Sequence, residues 1–342
     1  TYEQILTTTG VNLRGVPSKN LALTNNGVPV PIYTFKAKFG PGAYIEFLGE
    51  ALDTLYTDTN VYRLEVNPAL AKRVKVDTRA PSTVTPSATY METKLIERNL
   101  DYSTLVPQGS DPWYDTWVLA PKNSPQTRTF TINIDGYAGG SGDTVLLLNL
   151  VGSSNYIAGP EHKVRVSLNG QFVAEDVFDD RQVRSLRISL PAGLLVNGNN
   201  TLSLYLPSDL GAPADAVFIE SYGVVYPRTY AATDGRITFE ASGDVFKVTN
   251  LNANKVIVYR VDGDQVTLFS RPKVVKVRGV TPATFEARMP GSATPATYYV
   301  STAPSLLTPQ IGLARVPATI NSGAADLLII AHPDFINGFA PL

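Results

Sequence analysis

No cysteine occurs anywhere in the 342 residues. That single absence excludes disulfides, thiolate metal sites and a cysteine nucleophile together. It does not fix a compartment, because bacterial surface proteins and cytosolic proteins alike can do without the residue. Histidine is nearly missing too, with two copies, and tryptophan also has two. Charge is scarce: charged residues make up 17% of the chain and the formal net charge is −1. Neither a nucleic-acid groove nor an anionic membrane surface is served by such a balance. No apolar run approaches the ~18–20 residues needed to span a bilayer. Thr1 to Gly10 lacks the basic start and apolar core of a signal peptide, so a secreted protein with this sequence would already have shed its signal.

What is present reads as β-structure. Apolar residues reach 44%, enough for real cores, and Gly (26) and Pro (25) are plentiful, as short strands joined by turns require. The length suits roughly two or three domains. One short helix is expected in "TYEQILTTTGV", stopping at Gly10. Strands follow in "NLALTNNGVPVPIYTF", split by Asn25-Asn26-Gly27 as a hairpin turn, then in "AYIEFLGEAL" and "NVYRLEVNP". We expect this first β-rich domain to cover residues 1–89, ending in the linker-like "DTRAPSTVTPSATY". Residues 90–228 carry six or more alternating strands at spacings near ten residues, which predicts a β-sandwich. The run "VRVSLNG…F…LRISLPAGLLVNGNNTLSLYLP", with Asn169-Gly170 as a turn, is typical of a jelly roll. A smaller β unit is expected over 229–316, with "GRITFEA", "VFKVTNL", "KVIVYRVDGDQVTLF", "ATFEARMP" and "TYYVST" as strands and Asp262-Gly263 as a hairpin turn. After a short linker, residues 317–342 read as a buried strand (Leu328–Ala331) leading into a helix at His332-Pro333, the opening of a βα unit. The fold class is thus mainly β: a jelly-roll-like sandwich with smaller β units before and after it.

Chemistry has few places to sit. His162 opens a strand beside basic neighbours and reads as an exposed strand-end residue. His332 lies beyond the carboxyl end of a strand, where open α/β sheets bind ligands, yet only ten residues follow it, so it reads as a helix-opening residue rather than a base with a nucleophile nearby. Asp179 and Asp180, read as neighbours on a strand, would point to opposite faces and could not share one substrate. A stand-alone carboxylate enzyme would need an acidic pair about 5–10 Å apart in a cleft. Asp58 in "YTDTN" is a further carboxylate. Loop acids with carbonyl oxygens could hold calcium; no D-x-D-x-D-G loop is present, and turn and cap chemistry accounts for such residues. No other cofactor is expected. "DGYAGGSGDT" is rich in glycine but precedes a strand and lacks the lysine of a phosphate loop. The candidate surface-binding residues are Trp113, Tyr114 and Trp117 in "DPWYDTWVLAP". Aromatics on a jelly roll can stack on sugar rings, whereas large aromatics more commonly serve packing.

Several stretches resemble one family. "GVNLRGVPSKNLALTNNGVPVPI" and "FGPGAYIEFLGEALDTLYTDTNVYRL" resemble the region ahead of the peptidase domain in gingipain-like cysteine peptidases, which are large secreted or surface-attached bacterial proteins. "LLVNGNNTLSLYLP" with "VFIESYGVVYPRTY" is similar to the sandwich of that region, and "ADLLIIAHPDF" to the first strand of the catalytic domain. The resemblance implies a non-catalytic amino-terminal region, acting as prodomain or structural spacer, whose partner is a downstream peptidase domain of the same protein. It implies secretion or a bacterial cell surface. Catalysis in the family uses a cysteine and a histidine well downstream of the opening strand, so no catalytic residue carries over to this chain. Both ends are expected to be cut, as in a fragment reaching just into the peptidase domain. "VRGVTPATFEARMPGSATPATYY" and "SGAAD" are expected to be exposed and open to cleavage. The competing expectation is a carbohydrate- or surface-binding module.

Overall fold

The computed structural model describes residues 1–52, 54, 57–105, 107, 111–140, 143–157, 159–314, 331, 332, 334, 335 and 338. Strand accounts for 52% of the chain and helix for 5%, so the protein is mainly β. Among the described residues no helix is long and apolar enough to cross a membrane.

The chain opens with α1 (Tyr2–Thr9), held by a capping box: Gln4 N donates to Thr1 Oγ1 at 3.2 Å, and the amino terminus donates to Gln4 Oε1 at 2.7 Å. Gly10, at φ 73°, closes the helix by donating to Leu6 O. The helix packs through Tyr2, whose ring meets Phe39 edge-on at 6.1 Å. Beneath it, β1 (Leu21–Asn25) pairs with β2 (Val28–Val30) across Asn26-Gly27, both left-handed. That is the turn geometry whose twist suits a hairpin. The two-residue strands β3 (Tyr33–Thr34) and β4 (Ile45–Glu46) pair with each other, and β5 (Tyr62–Val66) flanks β1. The strand expected over "AYIEFLGEAL" is therefore only two residues long; Phe47 beyond it packs its ring on Tyr62 at 5.0 Å. Leu21, Leu23, Ile32, Phe39 and Ala43 form the local core. The short β6 (Lys75–Asp77) then leaves this region altogether.

Eleven strands follow: β7 (Thr89–Glu97), β8 (Asp101–Tyr102), β9 (Trp113–Tyr114), β10 (Thr116–Pro121), β11 (Gln126–Ile134), β12 (Val145–Gly152), β13 (His162–Leu168), β14 (Gln171–Phe178), β15 (Val183–Ser189), β16 (Gly198–Leu206) and β17 (Ala214–Thr229). β8 and β9 pair only with each other, and the others build the expected sandwich. One sheet runs β10-β17-β12-β15, with β7 also on β17; the facing sheet runs β11-β16-β13-β14. Alternation explains the core directly. Val164, Val166 and Leu168 point inward from β13, Leu202, Leu204 and Leu206 from β16, Leu146, Leu148 and Leu150 from β12. A bulge between Asn149 and Leu150 shifts the register against β17, so its inward residues change from Val217 and Ile219 to Tyr222, Val224 and Tyr226.

The last unit closes differently. Its strands are β18 (Arg236–Leu251), β19 (Val256–Asp262), β20 (Gln265–Phe269), β21 (Lys273–Lys276) and β22 (Phe285–Thr302). The stretches expected as two separate strands, one of them in a cleavable loop, form the single 18-residue β22. Pro290, Gly291 and Pro295 do not break it. They form a corner instead: the register against β18 jumps between Ala241↔Ala296 and Gly243↔Ser292, leaving Pro295 outside the ladder. The first half of β22 pairs with β21, the second with β19. Each long strand thus folds over itself, and Phe239 and Phe246, from either side of the β18 bend, meet at 5.2 Å. A Cβ on Gly291 would lie 1.9 Å from Gly243 O, so the corner requires glycine at that contact. The hairpin turn expected at Asp262-Gly263 sits one residue on, since Asp262 still pairs with Gln265.

Strand pairing and shared core residues tie the regions together. β6 completes the last sheet by pairing in parallel with β20, and Tyr90 of β7 lies in the same core as Tyr230 and Phe239. The predicted divisions fall at the first residues of β7 and the last of β17. Most of 317–342, including Leu328–Ile330 of the predicted strand, lies outside the described residues; Ala331 and His332 are not in a strand.

Candidate functional site

β10 carries both faces of the sandwich sheet in six residues. Val118 and Ala120 enter the core, while Trp117 and Leu119 face outward. Their cross-strand partners on β17 are Phe218 and Ala216, also outward. Over this outer face lie residues 98–105 and 111–115, which include β8 and β9. Tyr114 stacks on Phe218 at 4.5 Å and is fully buried, and Tyr102 meets Trp113 edge-on at 5.1 Å. The segment is pinned at its base. Arg98 Nη2 lies 2.6 Å from Asp115 Oδ1 and 2.9 Å from Oδ2, Asp115 is buried, and its N–H donates to Ile219 O. The ion pair keeps Arg98 above its ordinary range, chiefly through the hydrogen bond to Asp115.

Between this segment and the loop after β12 runs a groove of about 520 Å³. Its floor is Phe218, Ala216 and Ser154; its rims are Tyr102 (60% exposed), Leu105, Trp117 (42%), Leu119 and Tyr156 (56%). Among the described residues Asp101 is the one charged residue lining it, and Ser103 and Ser153 add hydroxyls. Ser154 Oγ is buried without a hydrogen-bond partner among the described residues. Such a surface offers ring faces and a few polar groups, the pattern of a site that binds by stacking and apolar contact.

Of the three residues singled out from sequence, Trp117 presents its ring to the groove, Trp113 is half-buried as a support for Tyr102, and Tyr114 is core. Burial pushes the Tyr114 hydroxyl up to about 12. The residues missed are Tyr102, Leu105, Leu119, Tyr156 and Ser154. Leu119 was readable, since it shares the period of two with Trp117; Tyr102 comes from the two-residue β8 and the others from loops.

His162 overturns its sequence reading as an exposed strand-end residue. It shares the inward period with Val164, Val166 and Leu168 and is 0% exposed. Nδ1 lies 2.8 Å from Asp215 Oδ1, a residue that faces inward from β17 in the opposite sheet. The imidazole lies tilted against Phe178 at 4.8 Å, and Nε2 lies 3.8 Å from Glu161 Oε1. The ring joins the two sheets at one end of the core and is sealed from solvent. The Asp179–Asp180 pair is also corrected: it lies in the turn after β14, with Asp180 left-handed, not on a strand. Asp58 is exposed in a loop. Among the described residues no three His, Cys, Asp or Glu side chains gather as metal ligands. His332 is exposed, with Nδ1 3.5 Å from Asp334 Oδ2.

Fold and site together define a β-sandwich protein with a half-open aromatic groove. With no cysteine, this chain is not itself a cysteine peptidase. No family model and no curated protein matches it. Among solved structures, dimeric latent PorU from Porphyromonas gingivalis has a related fold: TM-score 0.61 at 15% identity, over 91% of this chain. This chain spans only 31% of that one. A cycloisomaltooligosaccharide glucanotransferase from Paenibacillus sp., complexed with cycloisomaltoheptaose, aligns at TM-score 0.19 and 10% identity over 63% of this chain and 44% of its own, too low for a shared fold.

Proposed function

We propose that this chain is the non-catalytic region ahead of the peptidase domain in a secreted or surface-held gingipain-like cysteine peptidase, and that it packs on that domain as a prodomain. The observation that carries this reading is the overlap with PorU: nearly all of this chain superposes on under a third of a longer one described as latent. The stretches resembling gingipain-like proteins, and the lack of cysteine in a chain of this size, support it further. The groove rimmed by Tyr102, Trp117 and Tyr156 is the face offered to the peptidase, because apolar rims gain most when covered. The test is to mix this chain with the separately produced peptidase domain and follow peptide hydrolysis. Inhibition at micromolar concentration, weakened at least tenfold by Trp117→Ala with Tyr102→Ala, is the expected result. Unchanged hydrolysis together with no association would sink the prodomain role, and association without inhibition would leave a spacer.

A second reading is a carbohydrate- or surface-binding module, favoured by exposed rings beside the unpartnered Ser154 hydroxyl. Glycan-array binding abolished by Trp117→Ala, with no affinity for the peptidase domain, would select it over the first.

A further inference from the structure

Three ionisable side chains meet inside the sandwich beside the aromatic groove: Glu161 (1% exposed), His162 (0%) and Asp215 (2%). Asp215 Oδ1 lies 2.8 Å from His162 Nδ1, and its Oδ2 accepts from Lys163 N at 3.0 Å. On the other side of the ring, Nε2 lies 3.8 Å from Glu161 Oε1, and among the described residues neither atom has a hydrogen-bond partner. The second oxygen of Glu161, Oε2, accepts from Tyr156 N at 2.7 Å, and Tyr156 is a rim of the groove. A Cβ on Gly152 would lie 2.7 Å from Nε2 and 2.1 Å from Asp180 O, so the backbone itself closes the ring in. The nearby cations are matched elsewhere. Lys163 Nζ pairs with Asp209 at 2.8 Å, and Arg184, 5.6 Å from the Phe178 ring centre, pairs with Asp176 at 2.7 Å. In the turn after Phe178, Asp179 adds a further carboxylate with its Oδ1 buried and unpartnered among the described residues, Asp180 presents its carbonyl, and Arg181 is exposed.

Proton counting gives this arrangement two states. An imidazole between two carboxylates makes one hydrogen bond when neutral and two when protonated. The separations of 2.8 Å and 3.8 Å match the neutral ring: one contact is made, and on the other side two lone pairs face each other. We propose that the triad is a proton switch for the groove: a proton taken up from water at His162 Nε2 closes the second hydrogen bond, to Glu161, and thereby fixes the Tyr156 rim. Closing from 3.8 Å to the roughly 2.8 Å of a charge-assisted bond draws the Glu161 carboxylate by about an ångström, and Oε2 carries the Tyr156 N–H with it. The protonated ring also gives a buried carboxylate the cation that it otherwise lacks. Without the proton, Glu161 holds a buried anionic oxygen with no donor, an unfavourable state that is relieved when the residues carrying Tyr156 loosen. The rim is thus set in acid and slackens as pH rises. This rests on the groove being the face offered to the peptidase, and it adds to that reading a latency strongest at acid pH.

Nuclear magnetic resonance on the whole chain tests the switch without any partner. His332→Gln leaves His162 as the sole imidazole, so its ring signals and the Tyr156 amide can be followed together from about pH 5 to 8. One shared transition is expected, with the Tyr156 amide better protected from exchange on its acid side. Glu161→Gln should abolish the Tyr156 transition, because a neutral amide donates to Nε2 or accepts from it at any pH. A Tyr156 amide that ignores the His162 transition, a His162 ring with no transition in this range, or a Tyr156 transition kept in Glu161→Gln would overturn the proposal. The first two outcomes need no change within the triad. Affinity for the separate peptidase domain should be at least threefold higher at about pH 5.5 than at about pH 7.5, a ratio lost in Glu161→Gln; the same ratio in both chains would overturn the link to the groove. No binding to the peptidase at either pH, with the Tyr156 transition intact, would sink the prodomain reading and leave the switch standing. Binding with a pH-indifferent Tyr156 amide would do the reverse.

Discussion

The sandwich and the last β unit bury similar strands by opposite means. In the sandwich, two sheets made of different strands face each other, and the core between them is mostly aliphatic, with Leu146, Leu148, Leu150, Leu202, Leu204 and Leu206 at its centre. In the last unit β18 and β22 bend back on themselves, and the space inside the bend is filled by rings: Tyr90, Tyr230, Phe239, Phe246, Phe269 and Tyr298. Phe239 and Tyr298 stack at 5.1 Å, and Phe246 meets both edge-on. Interdigitating leucines fill a slab of even thickness between two sheets. A folded strand leaves a wedge, and large planar side chains fill a wedge with few residues. The corner, in turn, forces small residues where the backbone crosses.

The largest effects should come from emptying each core. Phe246→Ala is expected to cost about 3–5 kcal/mol and Leu148→Ala about 2–5 kcal/mol, read as shifts in urea unfolding. Both tryptophans, Trp113 and Trp117, belong to the sandwich side, so tryptophan fluorescence follows that unit alone. Because Tyr90 ties β7 to the aromatic core, Phe246→Ala should move the fluorescence transition as well. A fluorescence midpoint left at its wild-type value would show that the two cores unfold separately. Next comes the corner. Gly291→Ala drives a methyl into Gly243 O and should cost about 3 kcal/mol, whereas the neighbouring Ser292→Ala, half-buried at the same bend, should change little. Equal losses would mean that the bend is not limited by backbone contact.

A smaller loss, about 1–3 kcal/mol, is expected from Asp215→Ala, which strips the buried His162 of its hydrogen-bond partner. Asp215→Asn keeps an acceptor and should lose less. Smallest of all is the seam between the first and last regions, where Tyr259 donates to Glu46 Oε2 at 3.0 Å. Burial raises the Glu46 pKa above its usual 4.5. The ionised form is therefore disfavoured in the folded state at pH above the folded pKa, and this penalty fades as pH falls through that pKa toward 4.5 and below. Glu46→Gln should accordingly stabilise the protein slightly at pH 7–8, by less than ~1 kcal/mol because the carboxylate is partly in water, with the gain gone in acid. A gain that persists at acid pH would place its cause in packing rather than charge.

These contrasts mark what could be read in advance. Period-two patterns such as "HKVRVSL" and "NTLSLYLP" specify strand and inward face together, and Asn26-Gly27 and Asn169-Gly170 adopt the left-handed turns their chemistry favours. His162 was legible by the same period, had the polar residue been allowed to follow its neighbours inward; its partner Asp215, in the facing sheet, was not. The bends of β18 and β22 were hidden because Pro and Gly signal an interruption, and a corner in a continuous strand looks locally like the end of one. Of the candidate site, Trp117 and Leu119 follow the outward period of β10, whereas Tyr102, Leu105, Ser154 and Tyr156 come from loops and a two-residue strand too short to show a period.

β6 belongs to the first region by sequence and to the last by pairing, since Lys75–Asp77 lies in register with Thr267–Phe269. Its backbone pairs with a strand about two hundred residues further along the chain, a separation that slows closure. Any cut through the intervening loops would leave that parallel seam as one of the clasps between two otherwise separate pieces.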